Sequence, residues 1–294
     1  MRSDAAGPNR RAASSPLRLT ARALLRSRGA LFGLVVTFGI VLAALLAPAL
    51  APYDPVQQHL LDQNQPPTLA HWLGTDRLGR DLLSRTVWGA RLSLVTGLGA
   101  VLVGAVQGAL LGLAAGYYRG WVDGVIGRVV DTMLAFPLYL SAIFVIATLG
   151  PSQIGVVLAV GLAVTPVFAR LTRGQVLEER EKEYVLAARV VGNSNRRVIA
   201  VHILPNVLAP LVVLASLTVG DAILVEAGLS FLGLGPPPPT PSWGLMVNDG
   251  MVVLTTAPWV SLGPGLAIAL LVLGSNLLGD GLRDAFDPRL RGDA

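Results

Sequence analysis

Apolar residues in this chain come in long unbroken runs, separated by short charged segments. No formal charge occurs over 31–53, a run of 23 residues, or over 92–118, a run of 27 interrupted only by Gln107. A helix rises about 1.5 Å per residue and a bilayer core is about 30 Å thick, so each run suffices for one crossing. A third run, 132–169, holds 38 uncharged residues. As one helix it would reach about 57 Å, nearly twice that thickness. The turn Gly150-Pro151-Ser152-Gln153 therefore makes it a hairpin of two spans, with kinks at Pro137 and Pro166 of the kind membrane helices tolerate. A fifth span is expected over 206–227 and a sixth over 257–278. The pattern predicts an all-α polytopic membrane protein with six transmembrane helices.

Within the second run, Gly104, Gly108, Gly112 and Gly116 recur every fourth residue, with Ala100 one step earlier. That spacing lines one helix face with small side chains and lets another helix approach closely, which places this span inside a bundle.

Composition agrees with the pattern. The chain is 53% hydrophobic and 14% charged, where a soluble domain carries about a quarter charged residues. It has no cysteine, which removes disulfides and cysteine metal sites. The net charge of +5 reflects basic loops on the cytoplasmic side of a membrane rather than nucleic-acid binding. Of 23 basic residues, 19 lie in 1–30, 119–128, 170–205 and the C-terminal tail; the other four are balanced by Asp54, Asp62, Asp76 and Asp81 in 54–91. This bias places both termini in the cytoplasm.

The expected organisation follows. Residues 1–30 form a cytoplasmic tail, 31–53 the first span and 54–91 an extracytoplasmic loop. Residues 92–283 make a five-helix core that includes a cytoplasmic loop, 171–205, and 284–294 form a second tail. The tail 1–30 is not a signal peptide, because the apolar run after it is too long. In the outer loop, Thr75 or Asp76 is expected to cap a helix, the whole acting as a lid over helix ends. The stretch GPPPPTPSWG, 235–244, is expected to be a stiff extended spacer outside.

The charged island 178–206 carries the candidate chemistry. Residues 175–191 read as one helix free of Gly and Pro. Gly192 stands at a left-handed stop. Ser194 is placed to cap a second short helix, 195–203, which is expected to end near Leu204 because Pro205 disfavours helical geometry before it. Ala187 and Ala188 would leave a bare face for close approach by another protein; an ordinary basic loop between spans is the competing reading.

Two acids fall in the fifth run. Asp221 lies about 22 Å from the inner surface, where an ionised acid is costly unless paired or hydrated. It is expected either to face a water-filled passage between subunits or to bond a neighbouring helix. Glu226, near the outer boundary, is expected to reach external water, and Asp131 to pair with Arg128. No arginine or lysine falls in the middle of a span, so a passage would carry little fixed charge and selectivity would fall to a separate capture protein.

Other classes fit poorly. The sole lysine, Lys182, follows Glu181, so no phosphate-binding Gly-Lys-Ser/Thr loop exists. His59, His71 and His202 are not spaced for a metal site or a membrane protease. A stand-alone secondary carrier would want ionisable groups at mid-membrane and two similar halves.

The island also carries a resemblance. Ala187-Ala188-Arg189, Gly192 and then Leu204-Pro205 resemble the cytoplasmic loop of ABC-importer permeases, whose pattern is Glu-Ala-Ala, three residues, Gly, nine residues, Ile, one residue, Leu-Pro. Leu186 replaces the Glu, with Glu183 one turn earlier as its substitute, and His202 replaces the Ile. The run HWLGTDRLGRDLLSR through GARLSL, together with AGYYRGWVD, LSFLGLG, PSWG and NLLGDGLRDAFDPRL, is similar to the second permease subunit of dipeptide and oligopeptide ABC importers, a family that includes nickel and glutathione importers. The resemblance implies a type I ABC importer permease fold in a bacterial inner membrane. It also implies a heterodimer with a related permease, two ATPase subunits that bind ATP and magnesium, and an extracytoplasmic binding protein. Glu183, Ala187, Ala188, Arg189, Gly192, His202, Leu204 and Pro205 would form the ATPase-coupling loop, and Asp221 and Glu226 would belong to the translocation pathway. No cofactor is implied for this chain.

Overall fold

The computed structural model describes residues 27–286, which are helices and loops with one isolated antiparallel bridge, Thr75 to Asp81. Helix α1, Arg28–Leu45, starts where the Ser27 hydroxyl accepts the Ala30 amide, and a short α2, Ala47–Leu50, follows. Helix α3 spans Leu82–Tyr118 and begins ten residues before the uncharged run. Its cap is Asp81, whose carboxylate accepts the Ser84 amide at 2.8 Å. Thr75 and Asp76 do not cap. The Thr75 hydroxyl donates to the Asp62 carbonyl, and Asp76 pairs with Arg80 at 2.6 Å, so both brace the preceding loop.

Helix α4, Gly120–Ala135, and α5, Leu138–Leu149, meet at 98° across Phe136-Pro137. The ring of Pro137 removes a donor where a continuous helix would need one. At about 18 Å, α5 is too short to cross a bilayer alone. Among the described residues, five helices are long and apolar enough to cross, and a sixth crossing exists only if this bent pair is one broken span. Helix α6, Gln153–Glu179, starts at Ser152, whose hydroxyl accepts the Gly155 amide.

The glycine stripe is the seam of the bundle. A Cβ at Gly108 would come within 2.4 Å of the Phe168 Cβ and 2.6 Å of the Thr165 carbonyl; at Gly112 it would come within 2.6 Å of the Ala169 carbonyl. Only bare backbone lets α3 and α6 cross this closely.

Beyond α6 come α7, Glu183–Val190, and α8, a single turn at Asn195–Arg197. A wide π-helical turn, Val198–Ile203, leads into α9, Leu204–Phe231. Helix α10, Trp243–Met251, and α11, Trp259–Phe286, complete the described chain. The spacer 235–244 therefore ends in a helix that composition did not announce. Trp243 anchors it, buried and donating its indole N–H to the Thr86 carbonyl at 2.8 Å.

Two clusters fill the interior, one with Ile146, Val160, Phe168 and Leu211, the other with Ala44, Leu82, Ile223, Trp243 and Leu271. Val35, Phe38, Leu102, Leu110 and Phe144 stay exposed on helix exteriors. Such an apolar exterior suits lipid rather than water.

Candidate functional site: the charged knuckle

The helix expected over 175–191 is broken, although it contains no Gly or Pro. Helix α6 stops at Glu179 and α7 starts at Glu183. Tertiary bonds explain the turn between them. Arg180 donates from Nη1 to the carbonyls of Gly116 (3.2 Å) and Tyr117, closing the C-terminus of α3. Glu179 takes the Lys182 ammonium and the Tyr184 hydroxyl on its two oxygens. Burial first, then the bond to Glu179, push the Tyr184 phenol up to about 12. The same carboxylate holds the Lys182 ammonium above its usual range.

Helix α7 ends at the glycine that spacing pointed to. Gly192 has φ +88°. Its amide donates to the Arg189 carbonyl at 2.9 Å and the Asn193 amide to the Ala188 carbonyl at 3.2 Å, the paired bonds of a Schellman stop. The Asn193 side chain adds a bond to the same Ala188 carbonyl at 3.0 Å.

The second arm differs from expectation. Ser194 makes no side-chain capping bond. Asn195 is held instead by the Tyr117 hydroxyl, which donates to Asn195 Oδ1 at 2.8 Å. Nor does the arm end at Leu204. It continues through the π turn, and Pro205 falls in the first turn of α9, where its missing N–H is least needed. The carbonyl of His202 is satisfied from the side by the Asn206 side-chain amide at 2.8 Å, which also donates to the Tyr184 oxygen at 2.9 Å.

The knuckle presents a different face from the bare alanines anticipated. Ala188 is turned inward, and Val185 beneath it is fully buried. Ala187 is exposed, flanked by Leu186 and by Val190 and Val191, which are 87% and 82% exposed. The outward surface is thus an aliphatic ridge ending at Gly192. Glu183 sits exposed in the first turn of α7. Arg189 lies over the Tyr117 ring at 5.0 Å, and the His202 ring is 6.4 Å from that of Tyr184. Leu204 is half-buried and Pro205 exposed.

Sequence reasoning missed Tyr117, Arg180, Tyr184 and Asn206. Tyr117 alone left a signal, as an aromatic at the end of an apolar run just before Arg119.

The two acids of α9 part company. Asp221 is exposed on the surface of the chain. Glu226 does not reach outside water. It is 0% exposed, and its carboxylate accepts the hydroxyls of Ser93 (3.0 Å) and Ser230 (2.8 Å). Counting residues gave its depth but not the side of α9 it occupies, which faces α3. Asp131 pairs with Arg170 at 2.7 Å, not with Arg128, and both partners are exposed.

Comparison with known proteins bears on this geometry. Residues 108–292 match the family model described as binding-protein-dependent transport system inner membrane component. Residues 15–67 match the N-terminal transmembrane domain of oligopeptide transport permease C. The chain is 45% identical over 279 residues to a dipeptide transport system permease protein of Alkalihalophilus pseudofirmus, covering 95% of this chain and 92% of the relative. It is 44% identical over 278 residues to a glutathione transport system permease protein of Pectobacterium atrosepticum, covering 94% and 92%. Among solved structures, a chain of the MetNI methionine ABC transporter superposes with a TM-score of 0.57 at 18% identity, covering 69% of this chain and 97% of that one. That likeness fixes the fold as that of an ABC importer permease.

Proposed function

The chain belongs to the family of binding-protein-dependent transport system inner membrane components, and on that premise we propose that it forms half of the path for di- and oligopeptides in an ATP-driven importer. Its own role is transport rather than catalysis. ATP and magnesium would be bound by two separate ATPase subunits, the other half of the path would come from a related permease, and peptide would be delivered by an extracytoplasmic binding protein. Both termini and the knuckle would lie in the cytoplasm, where the arginine-rich segments collect.

The observation that carries the coupling role is the ridge of Leu186, Ala187, Val190 and Val191, set on a rigid Schellman stop at Gly192. An aliphatic ridge on an otherwise charged surface is suited to a socket on another protein. When the ATPases close, that ridge would be pulled. The pull would bias the bundle between outward- and inward-open states, which is alternating access. The elbow of α4 and α5 opens a groove lined by Met133, Phe136, Leu140, Phe144 and Leu162, with no ionised side chain among its lining residues. Such a groove supports a passage that leaves side-chain selection to the capture protein.

The test position is Gly192. Nothing lies within 4 Å of a Cβ built there, so Gly192→Val acts chiefly through the left-handed backbone that a β-branched residue resists. The complex is expected to assemble and lose peptide uptake. Normal uptake by this variant contradicts the coupling role. The relative named as a glutathione permease supports a second substrate reading within the same architecture. Exchanging the binding protein separates the two, since the substrate should follow the binding protein.

A further inference from the structure

We propose that Tyr117 is a positioning residue that carries displacement of the knuckle sideways into α3, in addition to the covalent route through α6 and α9. The inference rests on the coupling role proposed above. Tyr117 occupies the last turn of α3 and is 6% exposed. Two guanidinium groups lie against its ring, Arg189 of α7 at 5.0 Å and Arg180 of the 180–182 turn at 5.9 Å. Its hydroxyl donates to Asn195 of α8 at 2.8 Å. One side chain therefore touches both arms of the knuckle and the break that frees them from α6.

The contacts lock in both directions. Arg180 donates back to the carbonyls of Gly116 and Tyr117, so the end of α3 is gripped by the same turn that its ring grips. Arg189 buries Nε and Nη2 without a hydrogen-bond partner among the described residues. Its charge is met by the face of the Tyr117 ring, an attraction that strengthens as water is excluded. Moving α7 away from Tyr117 would give up that contact, so the two move as one body.

Helix α3 cannot absorb such a displacement locally. Its glycine seam leaves no slack against α6 at Gly104, Gly108 and Gly112. Near its far end, Ser93 is bonded to Glu226 of α9. A push at Tyr117 therefore reaches the opposite side of the bundle along one 37-residue helix.

The experiment uses the whole complex in proteoliposomes, with peptide uptake and ATP hydrolysis measured together. Tyr117→Phe keeps the ring and removes the Asn195 tether; Tyr117→Leu removes both. We expect uptake per ATP to fall about threefold for Tyr117→Phe and at least tenfold for Tyr117→Leu, with hydrolysis retained. Asn195→Ala should match Tyr117→Phe, and the double variant should be no worse than either, as for two ends of one bond. A purely structural role predicts that uptake and hydrolysis fall together at a constant ratio, and that result overturns the proposal. If Tyr117→Leu does not assemble, the ratio in Tyr117→Phe decides. A Gly192→Val complex that transports normally would instead unseat the coupling role itself, so the two failures are distinguishable.

Discussion

Gly108→Ala is the sharpest perturbation of the bundle. A Cβ at this position would stand 2.4 Å from the Phe168 Cβ, 2.6 Å from the Thr165 carbonyl and 2.8 Å from the Ala169 amide, where ordinary contact begins at 3.4 Å. Two of those atoms are backbone of α6 and cannot rotate aside, so the helices must part by roughly 1 Å, an overpacking that costs about 1–3 kcal/mol. Alanine recovers about 1 kcal/mol of helix propensity, leaving a net loss of about 0–2 kcal/mol. Gly124→Ala is the control, because nothing lies within 4 Å of its Cβ and the propensity gain of about 0.5–1 kcal/mol stands alone. The two variants share the propensity gain and differ by the overpacking cost of about 1–3 kcal/mol, so at about 2–4 °C per kcal/mol Gly108→Ala should melt roughly 2–12 °C below Gly124→Ala. Fluorescence-detected size-exclusion melting curves in detergent give both midpoints. Equal midpoints, or a higher one for Gly108→Ala, would refute the seam.

Three further outcomes follow from named contacts. Glu226→Gln keeps an acceptor for one serine and a donor for the other, so stability should stay near that of the parent; Glu226→Ala strands Ser93 and Ser230 and opens a cavity, costing about 2–4 kcal/mol by the same melting assay. Asp131→Ala breaks an exposed pair with Arg170 and should move the midpoint by no more than about 4 °C, since such pairs contribute about 0–1 kcal/mol. Val190→Asp places a charge on the ridge without disturbing the core beneath it. Co-purification with the ATPase subunits should drop at least tenfold while the chain itself remains folded.

The long helices were legible because charge clusters between them and lipid penalises it within them. The glycine stripe was legible because a four-residue period has one geometric meaning on a helix. Gly192 was legible for the same local reason, a glycine one step past the last helical residue. What stayed hidden was set by partners distant in sequence. The turn after Glu179 has no breaker of its own; Arg180 reaches to α3, and Tyr184 and Lys182 converge on Glu179. Asp81 began α3 early because an N-cap outweighs a few charged residues in the first turns. Pro205 failed to stop its helix because a π turn and the side chain of Asn206 meet the needs of the backbone. The side of α9 on which Glu226 lies depended on where α3 packs, which no single segment states. The alanines of the island lie on the knuckle, but Ala188 turns inward and the valines beside them form its outer surface.

In the mechanism proposed above, force from a separate ATPase enters this chain at the ridge of α7. The chain contains no cysteine, so Val191→Cys is a unique reporter at a site 82% exposed in the chain alone. The decisive measurement is its reactivity toward a bulky water-soluble maleimide, in the isolated chain and in the full transporter, with and without ATP. Docking at the ridge should give at least a tenfold protection on assembly, a change in that protection with ATP, and arrest of peptide uptake once the site is cross-linked to the ATPase. Equal labelling rates in the isolated chain and the working complex would contradict it.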